Sequence, residues 1–446
     1  MTGDLTRGPV MGSMFRFAVP MILGNLLQQC YNITDTLIVS RFLGPDALAA
    51  VGSSYSLMSF LTSILLGLCM GSGAAFSIRF GRRDIRGLKE GMCASFVLIA
   101  ALAALLNVLA FACLDLVRVF LQVPGQVWGP MRAYLAVIFC GIAATFLYNY
   151  FACLLRAIGN SVAPLLFLAV SAVLNIALDL WFVLGLERGV AGAAEVTVIA
   201  QYVSGVGLAL YTWVRCPQLR LRREELRVRW ASVREITGFS LLTCVQQSVM
   251  NLGILMVQGL VNSFGPAVMT AFAAAVKIDS FAYMPVQDFG NAVSTFLAQN
   301  YGARQWDRIR AGLRGAVAVS FGFCVVISLG VWVFARPLML LFVEAGETAI
   351  LAEGMRYLRI EGAFYCGIGC LFLLYGLYRA LGRPGMSVVL TVISLGTRVA
   401  LAYLLSAIPA VGVVGIWWAV PIGWALADAT GLLYYLFRKD ALLSPR

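Results

Sequence analysis

The chain has 446 residues, 61% hydrophobic and 12% charged, with 33 Lys and Arg against 21 Asp and Glu, no His, and a formal net charge of +12. A mean hydropathy of +0.88 exceeds what a soluble core of this length requires and predicts an all-α polytopic membrane protein. Without histidine the commonest metal ligand and the usual near-neutral proton carrier are missing, so proton or cation chemistry falls to Asp and Glu.

Apolar windows long enough to cross roughly 30 Å of hydrocarbon lie near 15–41, 50–77, 92–114, 131–155, 163–186, 190–214, 236–262, 268–298, 312–341, 355–378, 386–408 and 412–437, which predicts twelve transmembrane helices. The first carries Pro20, which makes a bend available, and then Gln28, Asn32 and Asp35 at i, i+4, i+7. An acid there costs roughly +2.5 to +3.5 kcal/mol at a helix centre, so a compensating role is expected. The fifth span holds Asn175 and Asp179, one turn apart, and the sixth holds Thr197. In the seventh, Gln246, Gln247, Met250 and Asn251 place polar and soft groups suited to an amphipathic substrate cavity, or to helix packing. The eighth carries Lys277, Asp279 and Asp288, and the eleventh carries Arg398. Lys277 and Arg398 near the midplane either face a cavity or partner acids such as Asp279 and Glu361. Structure is the preferred role for Arg398.

The segments RFGRRDIRGLK (79–89), RCPQLRLRREELRVR (215–229) and ARQWDRIRAGLR (303–314) fall on alternate connections. The positive-inside rule therefore places them, and both termini, in the cytoplasm. Orientation also accounts for the positive charge, so no nucleic-acid partner is expected. The eleven cysteines are scattered through apolar runs, against a disulfide framework or zinc site. Cys366 and Cys370, one helical turn apart, are read as packing residues.

The chain is written twice. GPDALAAVGSSYSLMSF at 44–60 has a counterpart in GPAVMTAFAAAVKIDSF at 265–281, an offset of 265 − 44 = 221. RAIG at 156–159 pairs with RALG at 379–382, and GVAG at 189–192 with GVVG at 412–415, where 379 − 156 and 412 − 189 both give 223. Two six-helix lobes of the same orientation follow, 1–214 and 236–446, joined by a cytoplasmic linker at 215–235. Parallel repeats of this kind belong to transporters whose halves rock about a central site. Asp35 falls opposite Met256, Asp179 opposite Ala402 and Asn175 opposite Arg398, so the paired-acid chemistry is expected in the first half alone.

Counted from the nearer ends of their spans, Asp35, Asp179 and Thr197 all lie roughly 9 to 12 Å below the outer surface. Two acids, amides and a hydroxyl at one level suit either a proton or Na⁺. Two carboxylates in a low-dielectric pocket disfavour simultaneous ionisation, so the ion is expected between them.

FRFAVPMILGNLLQQCYNITDTLIVSRFLG in the first span, PVQDFGNAVSTFLAQNYGA at 285–303 and GVVGIWWAVP near the end, together with the repeat, resemble the multidrug and toxic compound extrusion (MATE) transporters over nearly the whole chain. The resemblance implies two six-helix lobes and outward movement of organic compounds, drugs or metabolites, against inward H⁺ or Na⁺. It also implies a first-lobe coupling site of Gln28, Asp35, Asn175, Asp179 and Thr197. Ser40 departs from the glycine many relatives carry, and Gln246 and Gln247 stand where one branch has an acid, which favours the first-lobe site over one in the second lobe.

A flippase for lipid-linked or polysaccharide intermediates is the runner-up, though such proteins commonly carry two further helices. Enzymatic function is not expected: there is no histidine, no HExxH and no Walker A motif. The expected partners are small organic substrates and membrane lipid around a monomer in the cytoplasmic membrane, with no cofactor besides the coupling ion.

Overall fold

The computed structural model describes residues 3–43, 45–120, 125–186, 188–221 and 230–442. Every regular element among them is helical: α1 (Val10–Leu43), α2 (Pro45–Gly81), α3 (Ile85–Ala112), α4 (Leu114–Phe120), α5 (Gly125–Cys140), α6 (Ile142–Ala157), α7 (Val162–Asp179), α8 (Gly189–Arg215), α9 (Trp230–Asn262), α10 (Pro266–Gly302), α11 (Trp306–Val333), α12 (Ala335–Met339), α13 (Thr348–Gly362), α14 (Tyr365–Ala380), α15 (Pro384–Ser406) and α16 (Val413–Leu442). A π-helical turn, Leu180–Gly185, continues α7. Most of the expected linker, 222–229, lies outside the described residues.

Ten helices are long and apolar enough to cross a membrane, and two bent pairs, α5 with α6 and α13 with α14, bring the number to twelve among the described residues. The protein is a multi-pass membrane protein. The pairs bend by 43° and 51° where the sequence suggests unbroken spans, and neither break contains a proline. At the first, Gly141 sits where an added Cβ would come within 3.0 Å of the Ile138 carbonyl and the Val198 side chain. On α3, Val97, Leu105 and Val108 are exposed while Ser95, Ile99 and Ala103 are buried, the arrangement of a helix with its apolar face to lipid.

The sequence repeat is also a backbone repeat. The two bent pairs are counterparts, since the starts of α6 and α14 differ by 365 − 142 = 223. After α6 and α14, Gly159 (φ +83°) and Gly382 (φ +74°) turn left-handed, and the N–H groups of Asn160 and Arg383 donate back to the carbonyls of Leu155 and Tyr378 at 2.9 and 2.8 Å. Glycine suits this cap because it alone adopts positive φ without steric cost. After α2 and α10 the same turn is made by Arg83 (φ +61°) and Arg304 (φ +56°), with Asp84 and Gln305 donating to the carbonyls of Arg79 and Asn300 at 3.1 and 2.9 Å. Gly189 and Gly412 are a third left-handed pair.

The described residues form two compact units. One comprises the chain up to Asp4 and Val19–Cys244; the other comprises Leu5–Ala18 and the chain from Val245 onward. The division by packing thus cuts within α1 and α9. In the first unit α9 lies so close to α2 that a Cβ on Gly71 would stand 2.3 Å from the Phe239 carbonyl oxygen, with Ser72 and Ser240 hydroxyls 2.7 Å apart. In the second unit, Arg308 donates to the carbonyls of Gly8 and Leu5 at 2.7 and 3.1 Å, and Phe15 packs on Phe289.

Candidate functional site

The first unit brings its two intramembrane acids together. Asp35 comes from α1; Asp179 is the last α-helical residue of α7, immediately before the π-turn. Such turns widen a helix locally and are frequent at functional sites. The two carboxyl groups face each other within hydrogen-bonding range. A carboxylate offers only acceptors, so this approach becomes a hydrogen bond only with a proton on one of them, and a bridging cation is the other way to satisfy it. Asp35 Oδ1, both Asp179 oxygens and both polar atoms of Asn175 are buried without a hydrogen-bond partner in the protein. Burying that many unpaired polar atoms is costly, and carboxyl and amide oxygens are the ligand type a hard cation takes.

Two tyrosines complete the surroundings. Tyr31, one turn before Asp35 on α1, lies beside it and near Gln28. Tyr134 from α5 lies beside both acids. Tyr31 could have been noticed by its i, i+4 spacing to Asp35; Tyr134 sits in an apolar run that carries no such signal. Thr197 on α8 is half-buried and donates to the Ala193 carbonyl of its own helix at 3.1 Å. Asn32 is half-buried and bonds Gln29 at 3.2 Å. One turn beyond the acids, Val39 and Val183 pack with Ala194, Val198 and Ile138 in a single apolar cluster. The acids therefore lie beneath a layer of aliphatic side chains that excludes water from one direction. Pro20 lies within α1, two residues past the point at which that helix passes from one unit to the other.

The sequence pattern of the MatE family matches the chain at two stretches, residues 20–181 and 241–404. Their starts differ by 241 − 20 = 221 and their ends by 404 − 181 = 223, the offsets of the backbone repeat. The chain belongs to the MATE family. A probable multidrug resistance protein of Bacillus subtilis strain 168, YpnP, is 30% identical over 438 residues, covering 98% of this chain and 97% of its own length. A second from the same organism, YoeA, is 27% identical, covering 98% and 96%. Among solved structures, a MOP superfamily transporter from Pyrococcus furiosus superposes with a TM-score of 0.93 at 22% identity, covering 100% of this chain and 99% of that one. The MATE fold of twelve helices in two six-helix lobes is thus shared along the full length.

This MATE chain buries a second acid pair in its second unit. Asp279 on α10 and Glu361 on α13 are 5% and 1% exposed and lie within hydrogen-bonding range of each other. The Tyr357 hydroxyl donates to Asp279 Oδ2 at 3.5 Å, Tyr365 also reaches Asp279, and Arg398 on α15 lies within electrostatic reach of both acids. Of the other polar residues singled out from the sequence, Gln246 and Asp288 are buried. Gln247, Met250 and Asn251 are half-buried, with Asn251 donating to the Gln247 carbonyl at 3.0 Å. Lys277 is exposed, on the face of α10 away from Asp279.

Proposed function

We propose that this MATE-family protein exports small organic compounds and drives their exit by the inward passage of H⁺ or Na⁺ through the site of Asp35 and Asp179. The observation that carries the reading is the facing of the half-buried Asp35 and the buried Asp179, with Asp35 Oδ1 and both Asp179 oxygens taking no hydrogen bond from the protein. Such a pair binds one proton or one small cation while closed and loses it when opened to water, where each carboxylate is solvated separately. Because Asp35 sits on α1 and Asp179 at a helix discontinuity, ion binding alters how the two helices pack. Pro20 gives α1 a place to bend in response. Asn175 contributes an amide that serves either ion, and Gln28 acts through Tyr31. Transport then follows alternating access, with ion-bound and substrate-bound forms favouring different conformations.

The names of the relatives, both probable multidrug resistance proteins, support organic compounds as the cargo. In the second unit Gln246, Gln247, Met250, Asn251 and Lys277 supply amide, thioether and ammonium groups of the kind that accommodates varied molecules. The protein is assigned to the cytoplasmic membrane with both termini inside. In a chain whose eleven native cysteines are replaced by serine, a single cysteine introduced at position 84 should react with an impermeant maleimide only after the cells are opened; reaction in sealed cells would reverse the orientation.

The deciding experiment is reconstitution in liposomes with pH and Na⁺ gradients imposed separately, scoring movement of a panel of organic cations, neutral drugs and metabolites. Movement that responds to one gradient and is lost in Asp35→Asn supports the reading. Movement that ignores both gradients would rule out antiport.

A further inference from the structure

The repeat sets Arg398 opposite Asn175, since 398 − 175 = 223, and the structure shows what each accompanies. In the first unit the half-buried Asp35 and the buried Asp179 have a neutral amide, Asn175, one helical turn from Asp179. In the second unit two buried carboxyl groups, Asp279 and Glu361, have a guanidinium in electrostatic reach. We infer that Arg398 is a resident counter-cation that takes, in the second lobe, the place of an exchangeable ion, so that the second acid pair takes up no coupling ion and Arg398 sets the number of ions moved per cycle. The inference rests on the reading of the first-lobe pair as the coupling site.

The charges close on this arrangement. Two carboxylates and one guanidinium leave one negative charge, the same charge that two carboxylates and one bound ion leave in the first lobe. A low-dielectric interior disfavours two adjacent uncompensated carboxylates, and the guanidinium relieves that repulsion without a bound ion. Arginine suits the task because its guanidinium stays protonated under all physiological conditions. The groups facing the cluster are accounted for by element: Asp279 and Tyr283 from α10, Tyr357 and Glu361 from α13, Tyr365 from α14 and Arg398 from α15. Asp428 on α16, the next helix, interacts with Cys370 instead. The Arg398 Nε, Asp279 Oδ1 and Glu361 Oε1 atoms are all buried without hydrogen bonds, so the three side chains retain polar capacity toward one another.

Counting bound ions separates this role from a purely structural one. The purified full-length protein would be equilibrated with ²²Na⁺, and in parallel back-titrated between pH 6 and 8 to count exchanged protons. The expected count for the native chain is one ion per protein, falling to none in Asp35→Asn. Arg398→Asn, which copies the first-lobe arrangement, should raise the count to two. Arg398→Lys should keep it at one, and adding Glu361→Gln to Arg398→Asn should return it to one. A folded, monodisperse Arg398→Asn protein that still binds one ion would overturn the inference. If that variant does not fold, Glu361→Gln in the native chain decides instead: retention of the ion supports a resident counter-cation, and its loss makes the second lobe an ion site and overturns it. An unchanged count in Asp35→Asn would sink the first-lobe reading alone, because the effect of Arg398 is read from the difference between Arg398→Asn and the native chain.

Discussion

The two units have the same backbone plan and bury acids in both copies, yet they differ in the charge placed beside those acids. In the first, Asp35 and Asp179 meet next to Asn175, and the π-turn interrupts the helix at Asp179. In the second, α15 runs unbroken past Ala402, the counterpart of Asp179, and Arg398 lies near Asp279 and Glu361. Duplication copied the turns and bends, which are set by backbone conformation. It did not hold the buried polar residues constant, because one substitution changes the charge of a site without changing its helix. The lesson is that symmetry of fold and asymmetry of function are set by different residues.

The largest effect is expected from removing the first-unit acids. Asp35→Asn and Asp179→Asn should each reduce gradient-driven efflux in vesicles to the level of vesicles without protein, with membrane insertion intact, while Asp288→Asn retains most activity. Near-normal coupled efflux by Asp35→Asn would make it a structural residue and erase the difference between the units. Next comes Asn175→Arg, which gives the first unit the cation of the second. It should abolish ion dependence while the protein still inserts, read as flux that no longer responds to either gradient; a normal response would mean that a fixed cation at that position does not displace the coupling ion.

The smallest effects are expected where the units agree. Gly159→Ala and Gly382→Ala each place a Cβ at positive φ and should cost about 1 kcal/mol of stability. Gly159→Ala should cost more, because its Cβ would also fall 1.7 Å from the Gly3 carbonyl oxygen. Thermal unfolding of the two variants in detergent measures the difference. Equal midpoints would show that the N-terminal residues near Gly3 yield freely.

Much of this was legible in the sequence for a physical reason: lipid requires long apolar runs, and basic loops and repeats survive in linear order. The common depth of Asp35 and Asp179 followed from the constant rise of a helix per residue, counted from the ends of their spans. The bends at Gly141 and after Gly362 were not legible, since no proline marks them and the hydrophobic pattern runs straight through. The π-turn after Asp179 has no residue signature in LWFVLG. Tyr134 was invisible because a tyrosine in an apolar run reads as packing until its neighbours are known. Asp279 and Glu361 could be named as partners for Arg398 but not as a pair with each other, because α10 and α13 are separated by α11, α12 and three connections.

The step in the repeat from 221 to 223 has a location. The starts of the short helices α4 and α12 differ by 335 − 114 = 221, whereas those of α6 and α14 differ by 365 − 142 = 223, so the two halves change length relative to each other between these two pairs of helices. Inside a helix, an insertion of that size would rotate everything beyond it by roughly 200° about the axis and turn Tyr357 and Glu361 away from Asp279. Such a step is therefore expected in a connection rather than inside a helix that presents a buried face, so the repeat separates helix lengths that are fixed from connections that are slack.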